Sequence, residues 1–170
     1  MKSQVALLRG INLGKRQLKM EDLRGIAAEL GLDQPRTYIA SGNLLFRSDQ
    51  PETVLKRILE SALANHMSAP VEVMIRTAEE LAETVKANPF ASEDSSRVVA
   101  IFLDEGPGPE ALGNAQNVEN ERMAAGAREI YVHYPSGQGR SKLKIPAAAT
   151  GTARNMNTIA KLAELAREKP

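Results

Sequence analysis

Residues 136–144 read Ser-Gly-Gln-Gly-Arg-Ser-Lys-Leu-Lys and combine two glycines with three cations. Glycines let backbone N–H groups turn toward one position, and the side chains of Arg140, Ser141 and Lys142 add charge and a hydroxyl there. The segment therefore predicts an anion-binding loop, although its spacing matches neither a P-loop nor a dinucleotide-binding fingerprint. The alternative is a strand-to-helix connection in which Ser141 only caps a helix.

A second segment, 152–158, reads Thr-Ala-Arg-Asn-Met-Asn-Thr at the start of a predicted C-terminal helix. Polar side chains in the first turn of a helix can bind a ligand, whereas ordinary capping needs only Thr152 or Asn155. The additional Arg154 and Asn157 favour a binding surface.

The third candidate site joins residues 9–12 to residues 41–43. Arg9 interrupts an apolar strand, so its guanidinium needs either an anionic ligand or a salt bridge to an acid such as Glu72. The Gly42-Asn43 pair is typical of a two-residue hairpin turn. The candidate ligand-binding residues here are Arg9, Asn12, Ser41 and Asn43.

Several kinds of chemistry are excluded by composition. The chain has no cysteine and only two histidines, which rules out thiolate nucleophiles, disulfides and zinc knuckles, and we expect no metal site. No serine lies in a Gly-x-Ser-x-Gly context. His133 and Ser141 are the least implausible proton carriers, and the sequence assigns neither a catalytic residue nor a cofactor.

Charge is segregated along the 170 residues although the net charge is only +1. Residues 1–77 carry 11 cations and 8 anions, 78–125 carry 3 and 10, and 126–170 carry 8 and 3. Residues 1–20 and 130–163 each hold five cations and no acid. These basic segments either meet and attract an anion, or pair with acids of the middle segment.

The periodicity of the first half predicts the order β-α-β-β-α-β. The predicted elements are strand Val5–Ile11, a helix from Met20 to Leu30, strands Arg36–Ser41 and Leu44–Arg47, a helix from Pro51 to Met67, and a strand over 71–76. This order is the split βαβ, or ferredoxin-like, arrangement. A capping box at Thr77-Ala78-Glu79-Glu80 predicts a further helix directly afterwards.

The second half predicts another α+β subdomain. Its expected elements are strand Val98–Leu103, a short helix after residues 106–109, strand Ile130–Tyr134, a helical turn from Ser141 ended by Pro146, and helix Asn155–Arg167. We therefore expect an α+β fold of two α/β subdomains, 1–77 and 98–170, joined by a helix and linker over 78–97. The chain lacks the roughly 20-residue apolar run that spans a bilayer and any signal peptide, so we expect a cytoplasmic protein without a membrane partner.

Four motifs resemble a known family. Residues 6–12 (ALLRGIN), 37–43 (TYIASGN), 139–143 (GRSKL) and 152–158 (TARNMNT) are similar in type and order to the bacterial domain-of-unknown-function family numbered 1697. The resemblance implies a two-part α+β fold with a ferredoxin-like first half, and no established reaction, substrate or cofactor. It marks the candidate positions already named. Lys15, Ala40 and Met156 depart from the glycine, glutamine and tryptophan usual in the family.

Two functions follow as hypotheses, and a third possibility is an interaction module whose charged ends bind acidic partners. The first is binding of a phosphate-bearing ligand, a nucleotide or nucleic acid, through the basic loops rich in glycine and asparagine. The second is an enzyme that acts on a small anionic metabolite in a cleft between the subdomains, with Arg9, Arg140 and Arg154 as anion clamps. We further expect segments 9–12, 42–43, 140–142 and 154–157 to converge on one pocket or face, because each is predicted to end a regular element.

Overall fold

The computed structural model describes residues 1–168, in which four α-helices accompany two four-stranded antiparallel sheets. This confirms the predicted α+β class. The chain forms two compact units, one of Met1–Leu81 together with the chain from Leu162 onward, the other of Ala82–Lys161. The division into 1–77, 78–97 and 98–170 stays a prediction, and residues 169–170 of its last part lie outside the described residues.

The first unit has the predicted β-α-β-β-α-β order. Its elements are β1 (Lys2–Leu8), α1 (Met20–Glu29), β2 (Asp33–Thr37), β3 (Asn43–Ser48), α2 (Glu52–Met67) and β4 (Val73–Thr77). The strands lie in the order β2-β3-β1-β4, and every neighbouring pair is antiparallel, which is the ferredoxin-like sheet. Leu55, Leu59 and Leu63 repeat every four residues along α2 and are fully buried against the sheet.

Two details of this unit differ from the prediction. The first strand ends at Leu8 rather than Ile11, because Gly10 turns the chain with a φ of 66°. The predicted two-residue turn at 42–43 is wrong: β2 ends at Thr37, which pairs with Leu44, and residues 38–42 form the loop. Asn43 is the first residue of β3 and pairs with Leu7 of β1.

The helix α3 (Ala78–Lys86) follows β4 directly. The backbone N–H of Thr77 donates to Glu80 Oε1 over 2.9 Å, and the Glu80 N–H donates to Thr77 Oγ1 over 3.1 Å. This reciprocal pair confirms the predicted capping box.

The second unit repeats the strand order of the first. It contains β5 (Val98–Phe102), β6 (Arg122–Ala125), β7 (Glu129–His133) and β8 (Thr152–Asn155), and α4 (Met156–Arg167) begins in it. The sheet order is β6-β7-β5-β8 with antiparallel neighbours, so β5 to β8 take the places that β1 to β4 have in the first sheet. Within the described residues 98–155, no α-helix connects β5 to β6 or β7 to β8, where the first unit has α1 and α2. Both connections are irregular, and the one from β7 to β8 contains short 3₁₀ turns at Gln138–Arg140 and Pro146–Ala148.

Several predictions for this unit are wrong. Turns and no helix follow residues 106–109, and the 3₁₀ turn near Ser141 ends at Arg140. Pro146 begins a 3₁₀ turn instead of ending a helix, which suits a residue that lacks an N–H. The strands β6 and β8 have four residues each, too few to show an alternating pattern, and β8 places Arg154 inside a strand.

No helix among residues 1–168 is long and apolar enough to cross a membrane.

We predict that Gly42→Ala lowers the free energy of unfolding by about 2–4 kcal/mol. Gly42 has a φ of 93°, and an added Cβ would lie 2.6 Å from Ile11 Cδ1 and 3.0 Å from Leu8 Cβ. Urea denaturation measures the change. The control is Gly14→Ala, whose φ of 62° is also left-handed but whose Cβ would meet no atom within 4 Å. Equal losses in the two variants would show that packing against Ile11 is unimportant.

Candidate functional site

Two loops of the first unit meet at one end of its sheet. Residues 9–19 follow β1, and residues 38–42 connect β2 to β3. The Leu8 N–H donates to the Gly42 carbonyl over 2.9 Å, which joins the two loops where they leave the sheet. We call residues 9–19 and 38–42 the loop cluster. It contains the predicted candidates Arg9, Asn12 and Ser41, and Asn43 lies directly beside it.

Asn12 connects the two loops through its side chain. Its Nδ2 donates to the Leu18 carbonyl over 3.0 Å and to the Ala40 carbonyl over 2.6 Å, while its Oδ1 accepts the Leu18 N–H over 2.7 Å. Asn12 has a φ of 56°, a conformation that asparagine tolerates better than most residues. Because both amide hydrogens are bound to backbone carbonyls, Asn12 positions the loops.

Asn43, the first residue of β3, holds the loop of residues 38–42 in place. It is fully buried, and its Nδ2 donates to the Tyr38 carbonyl and to Ser41 Oγ, both over 2.9 Å. The Tyr38 N–H in turn donates to the Asn43 carbonyl over 3.1 Å. These bonds hold a loop in which Ile39 adopts a φ of 53°. Asn43 is therefore a second positioning residue.

The cations of the loop cluster have different surroundings. Arg9 is half exposed and its NH1 lies 3.8 Å from Glu72 Oε1, which confirms the alternative partner expected for it. Arg16 donates to the Pro70 carbonyl. Lys15 and Lys19 are exposed, and the ion pairs formed within residues 1–168 include neither of them. The cluster thus presents positive charge to solvent.

The glycine-rich loop of the second unit is tied to an acid. Ser141 Oγ donates to Glu121 Oε2 and accepts the Leu143 N–H over 3.1 Å. Glu121 Oε1 also accepts the Glu119 N–H over 2.8 Å. The Ser141 hydrogen bond, followed by backbone N–H donors, lowers the pKa of Glu121 below its ordinary value. Sequence reasoning missed Glu121; the only signal was the acidic character of residues 78–125.

A small cleft lies beside this pair. It has a volume of about 30 Å³ and is lined by Glu119, Glu121, Tyr134, Arg140 and Ser141, among others. Such a volume holds about two waters. Two acidic residues, Glu119 and Glu121, and one basic residue, Arg140, line the cleft, while the neighbouring Lys142 is exposed. The local charge therefore does not favour an anion in this cleft.

Residues 154–157 have structural partners. Arg154 is buried in β8 and donates to Thr152 Oγ1 over 2.7 Å and to the Ala153 carbonyl over 3.0 Å; burial lowers its pKa to about 10. Asn155 Oδ1 accepts the Thr158 N–H over 2.9 Å and so caps α4. Asn157 Oδ1 accepts the Ser95 hydroxyl over 2.6 Å.

His133 is buried in a small polar cluster. Arg122 donates to its Nδ1 over 3.2 Å, and its Nε2 lies 3.8 Å from Glu93 Oε2. The Phe90 ring lies 6.0 Å from the imidazole, centroid to centroid. Glu129, four residues before His133 in the same strand, accepts the Thr84 hydroxyl. His133 is only 8% exposed, which makes it a poor proton carrier for a substrate.

Within the first unit, the structure brings together the two segments of the third candidate site, residues 9–12 and residues 41–43. In the second unit, Arg140 lies in an exposed loop and Arg154 in a buried strand, so they belong to different environments. The convergence of all four segments on one face stays a prediction.

The comparisons with known proteins agree with this fold. The family described as "Protein of unknown function (DUF1697)" matches residues 1–131. The chain belongs to this family. The solved structure of the conserved bacterial protein SP0830 from Streptococcus pneumoniae is similar to it, with 25% identity, a TM-score of 0.81, and coverage of 99% of each chain. No curated protein matches the chain.

Two positions that the resemblance marks as departures of this DUF1697 chain have defined surroundings. Ala40 accepts the Asn12 bond through its carbonyl, which any side chain leaves in place. Met156 is only 4% exposed and packs as an apolar residue.

We predict that Asn12→Ala destabilises the protein by about 1–3 kcal/mol, because the backbone N–H and carbonyl of the buried Leu18 and the carbonyl of the exposed Ala40 lose their partners. Asn12→Asp keeps the acceptor for the Leu18 N–H and loses both donors, so its loss should be intermediate. Urea denaturation and hydrogen exchange at the Leu18 amide measure the effect. The control is Gln17→Ala, which removes an exposed amide bonded only to the Gly14 carbonyl; a similar loss there would contradict the special role of Asn12.

We predict that Ser141→Ala raises the pKa of Glu121 toward its ordinary value. A lowered pKa in the folded state stabilises the protein above the unfolded pKa, and this stabilisation disappears as the pH falls through the folded pKa. The variant should therefore lose most stability at neutral pH, and in acid the difference should shrink to the pH-independent loss of the Leu143 N–H bond. Carboxyl NMR titration and denaturation at several pH values measure this. Ser136→Ala, whose hydroxyl accepts the Asn120 amide, should show no such pH dependence.

Proposed function

We propose that the protein binds a phosphate-bearing ligand, a nucleotide or nucleic acid, through the loop cluster of its first unit. The observation that carries the proposal is the exposure of Lys15 and Lys19 on a loop that hydrogen bonds hold in place. Residues 9–19 contain four cations and no acid.

Electrostatics supports this placement. Four cations on one short loop without an acid repel one another over distances up to the screening length, about 8 Å at physiological salt, and a bound anion relieves that repulsion. Glu72 offsets Arg9 through an exposed ion pair, which is a weak interaction. The remaining positive charge is available to a ligand, and lysine and arginine both bind phosphate through charge-assisted hydrogen bonds.

The backbone of the loop supports it as well. Gly10, Asn12 and Gly14 have positive φ angles of 66°, 56° and 62°, and the residues between them do not. The Asn12 N–H donates to the Arg16 carbonyl, so these turns close the loop on itself and hold its cations on one short segment. Because Asn12 already fixes the loop, little conformational freedom is lost on binding.

The second unit offers a weaker site. Arg140 lies beside Glu119 and Glu121, and Arg154 is enclosed in a strand. The enzyme hypothesis has no observation in its favour among residues 1–168, since His133 is buried and Ser141 is bonded to Glu121. We therefore assign the ligand to the loop cluster and propose no reaction.

We predict that Lys15→Gln with Lys19→Gln weakens binding of a short single-stranded oligonucleotide about tenfold or more at low salt. Removal of two phosphate contacts should also reduce the slope of log affinity against log salt by about 1.4. Fluorescence anisotropy across a salt series measures both quantities.

The matched control is Lys142→Gln with Lys144→Gln, which removes the same charge from two exposed lysines of the second unit. An equal loss in this control would indicate non-specific attraction. Absence of binding by the parent protein at low salt, to oligonucleotide and polyphosphate alike, would overturn the proposed function.

A further inference from the structure

We infer that the ligand of the loop cluster is a single strand of nucleic acid, whose bases contact the side chains of Leu13 and Ile39 while its phosphates contact Lys15 and Lys19. This inference rests on the proposed function and makes it specific. It assigns to the site a base-contacting surface in addition to a phosphate-binding one.

Two apolar side chains project from the loop cluster into solvent. Leu13 is 71% exposed and Ile39 is 48% exposed. They are the sequence neighbours of Asn12 and Ala40, whose side-chain amide and carbonyl are 2.6 Å apart, so the two loop tips lie side by side. Single exposed apolar residues need no explanation, but a pair on adjoining tips beside lysines forms a mixed apolar and basic surface.

The backbone of Ile39 is strained. A β-branched residue at a φ of 53° is an outlier, because its side chain crowds the backbone in the left-handed region. Glycine or asparagine would occupy this position with less strain. The buried Asn43 nevertheless holds the loop in this shape, with Ile39 displayed at its tip. Strain maintained by the surrounding structure at an exposed position indicates that the side chain has a use there.

The chemistry of this surface fits exposed bases. Lysines attract phosphates, and burial of the apolar faces of unstacked bases against apolar side chains is favourable whatever the base. Tyr38, next to Ile39, is half-buried and adds an aromatic ring to the same loop. A single strand presents several unstacked bases together with its phosphates. A duplex keeps its base faces stacked, and a mononucleotide has one base for two loop tips.

The test compares two probes on the same variants. The protein is titrated with fluorescein-labelled oligothymidylate and, separately, with inorganic polyphosphate, which has phosphates and no bases. For Leu13→Ser with Ile39→Asn we expect affinity for oligothymidylate to fall about tenfold, as loss of a partly buried aliphatic contact implies. Affinity for polyphosphate should be unchanged.

Two further variants keep the test decisive. Val118→Ser removes a comparably exposed apolar side chain, 45% exposed, in the second unit and should change neither affinity. Leu13→Ser alone replaces a side chain that is 71% exposed, so this variant should fold normally. We expect it to bind oligothymidylate more weakly than the parent, which isolates the base contact.

The backbone strain at Ile39 can be tested by substitution of that residue alone. Asparagine tolerates the left-handed conformation, so Ile39→Asn alone should raise the melting temperature by about 2–4 °C while it weakens binding to oligothymidylate. A fall in melting temperature would show that Ile39 serves stability, and would overturn this part of the inference.

The other outcomes separate the two proposals. Parent-like affinity of the double variant for oligothymidylate would leave a phosphate site without base contacts, and the inference would be wrong while the proposed function stands. Equal affinity for duplex DNA with the same loss in the variant would contradict a single strand. Binding of polyglutamate that depends on Leu13 and Ile39 would indicate an acidic protein partner instead. No binding of either phosphate probe by the parent would overturn both proposals.

Discussion

The side-chain amide of Asn12 is the interaction on which the loop cluster depends. It offers two donors and one acceptor on a short stem, and it uses all of them on the backbone of Leu18 and Ala40. Aspartate lacks the donors, and glutamine places the amide one methylene farther away. One residue therefore closes the loop after β1 and attaches it to the loop between β2 and β3. Without Asn12, the positions of Lys15 and Lys19 relative to Ile39 would not be fixed.

The two units satisfy their polar loop residues in different ways. In the first unit, the side-chain amides of Asn12 and Asn43 bind backbone carbonyls, and Lys15 and Lys19 face solvent. In the second, the loop that carries Arg140 is bonded through Ser141 to Glu121, so its positive charge lies beside an acid. The same residue types, glycine, serine and a cation, thus give a loop without acids in one unit and a loop beside Glu119 and Glu121 in the other.

Sequence reasoning succeeded where the signal was local and long enough. The leucine spacing of α2 and the capping box at Thr77 each specify their element within one or two turns, and the order of elements gave the ferredoxin-like sheet. Sequence reasoning failed for β8, because its four residues show no alternating pattern. Its Arg154 pairs with Ala100 of β5 and is buried, which a charged residue does not suggest. Contacts across 20 or more residues, such as Ser141 with Glu121 or Asn12 with Ala40, leave no local pattern. Residue types therefore located the loops, whereas only the fold separates positioning residues from exposed ones.

The shared strand order of the two sheets explains why the candidate site belongs to one of them. The connection after β1 holds four cations and no acid over 9–19, whereas the equivalent connection after β5, residues 103–121, holds five acids and no cation. The loop between β2 and β3 has residues 38–42, but β6 and β7 are joined by 126–128 alone, closed by the Gly126 N–H donating to the Glu129 carbonyl. A turn this tight has no room for a projecting tip like that of Ile39. Since the sheet positions are the same, the difference lies in loop length and charge, which are the properties that set what a loop at the end of a sheet can bind.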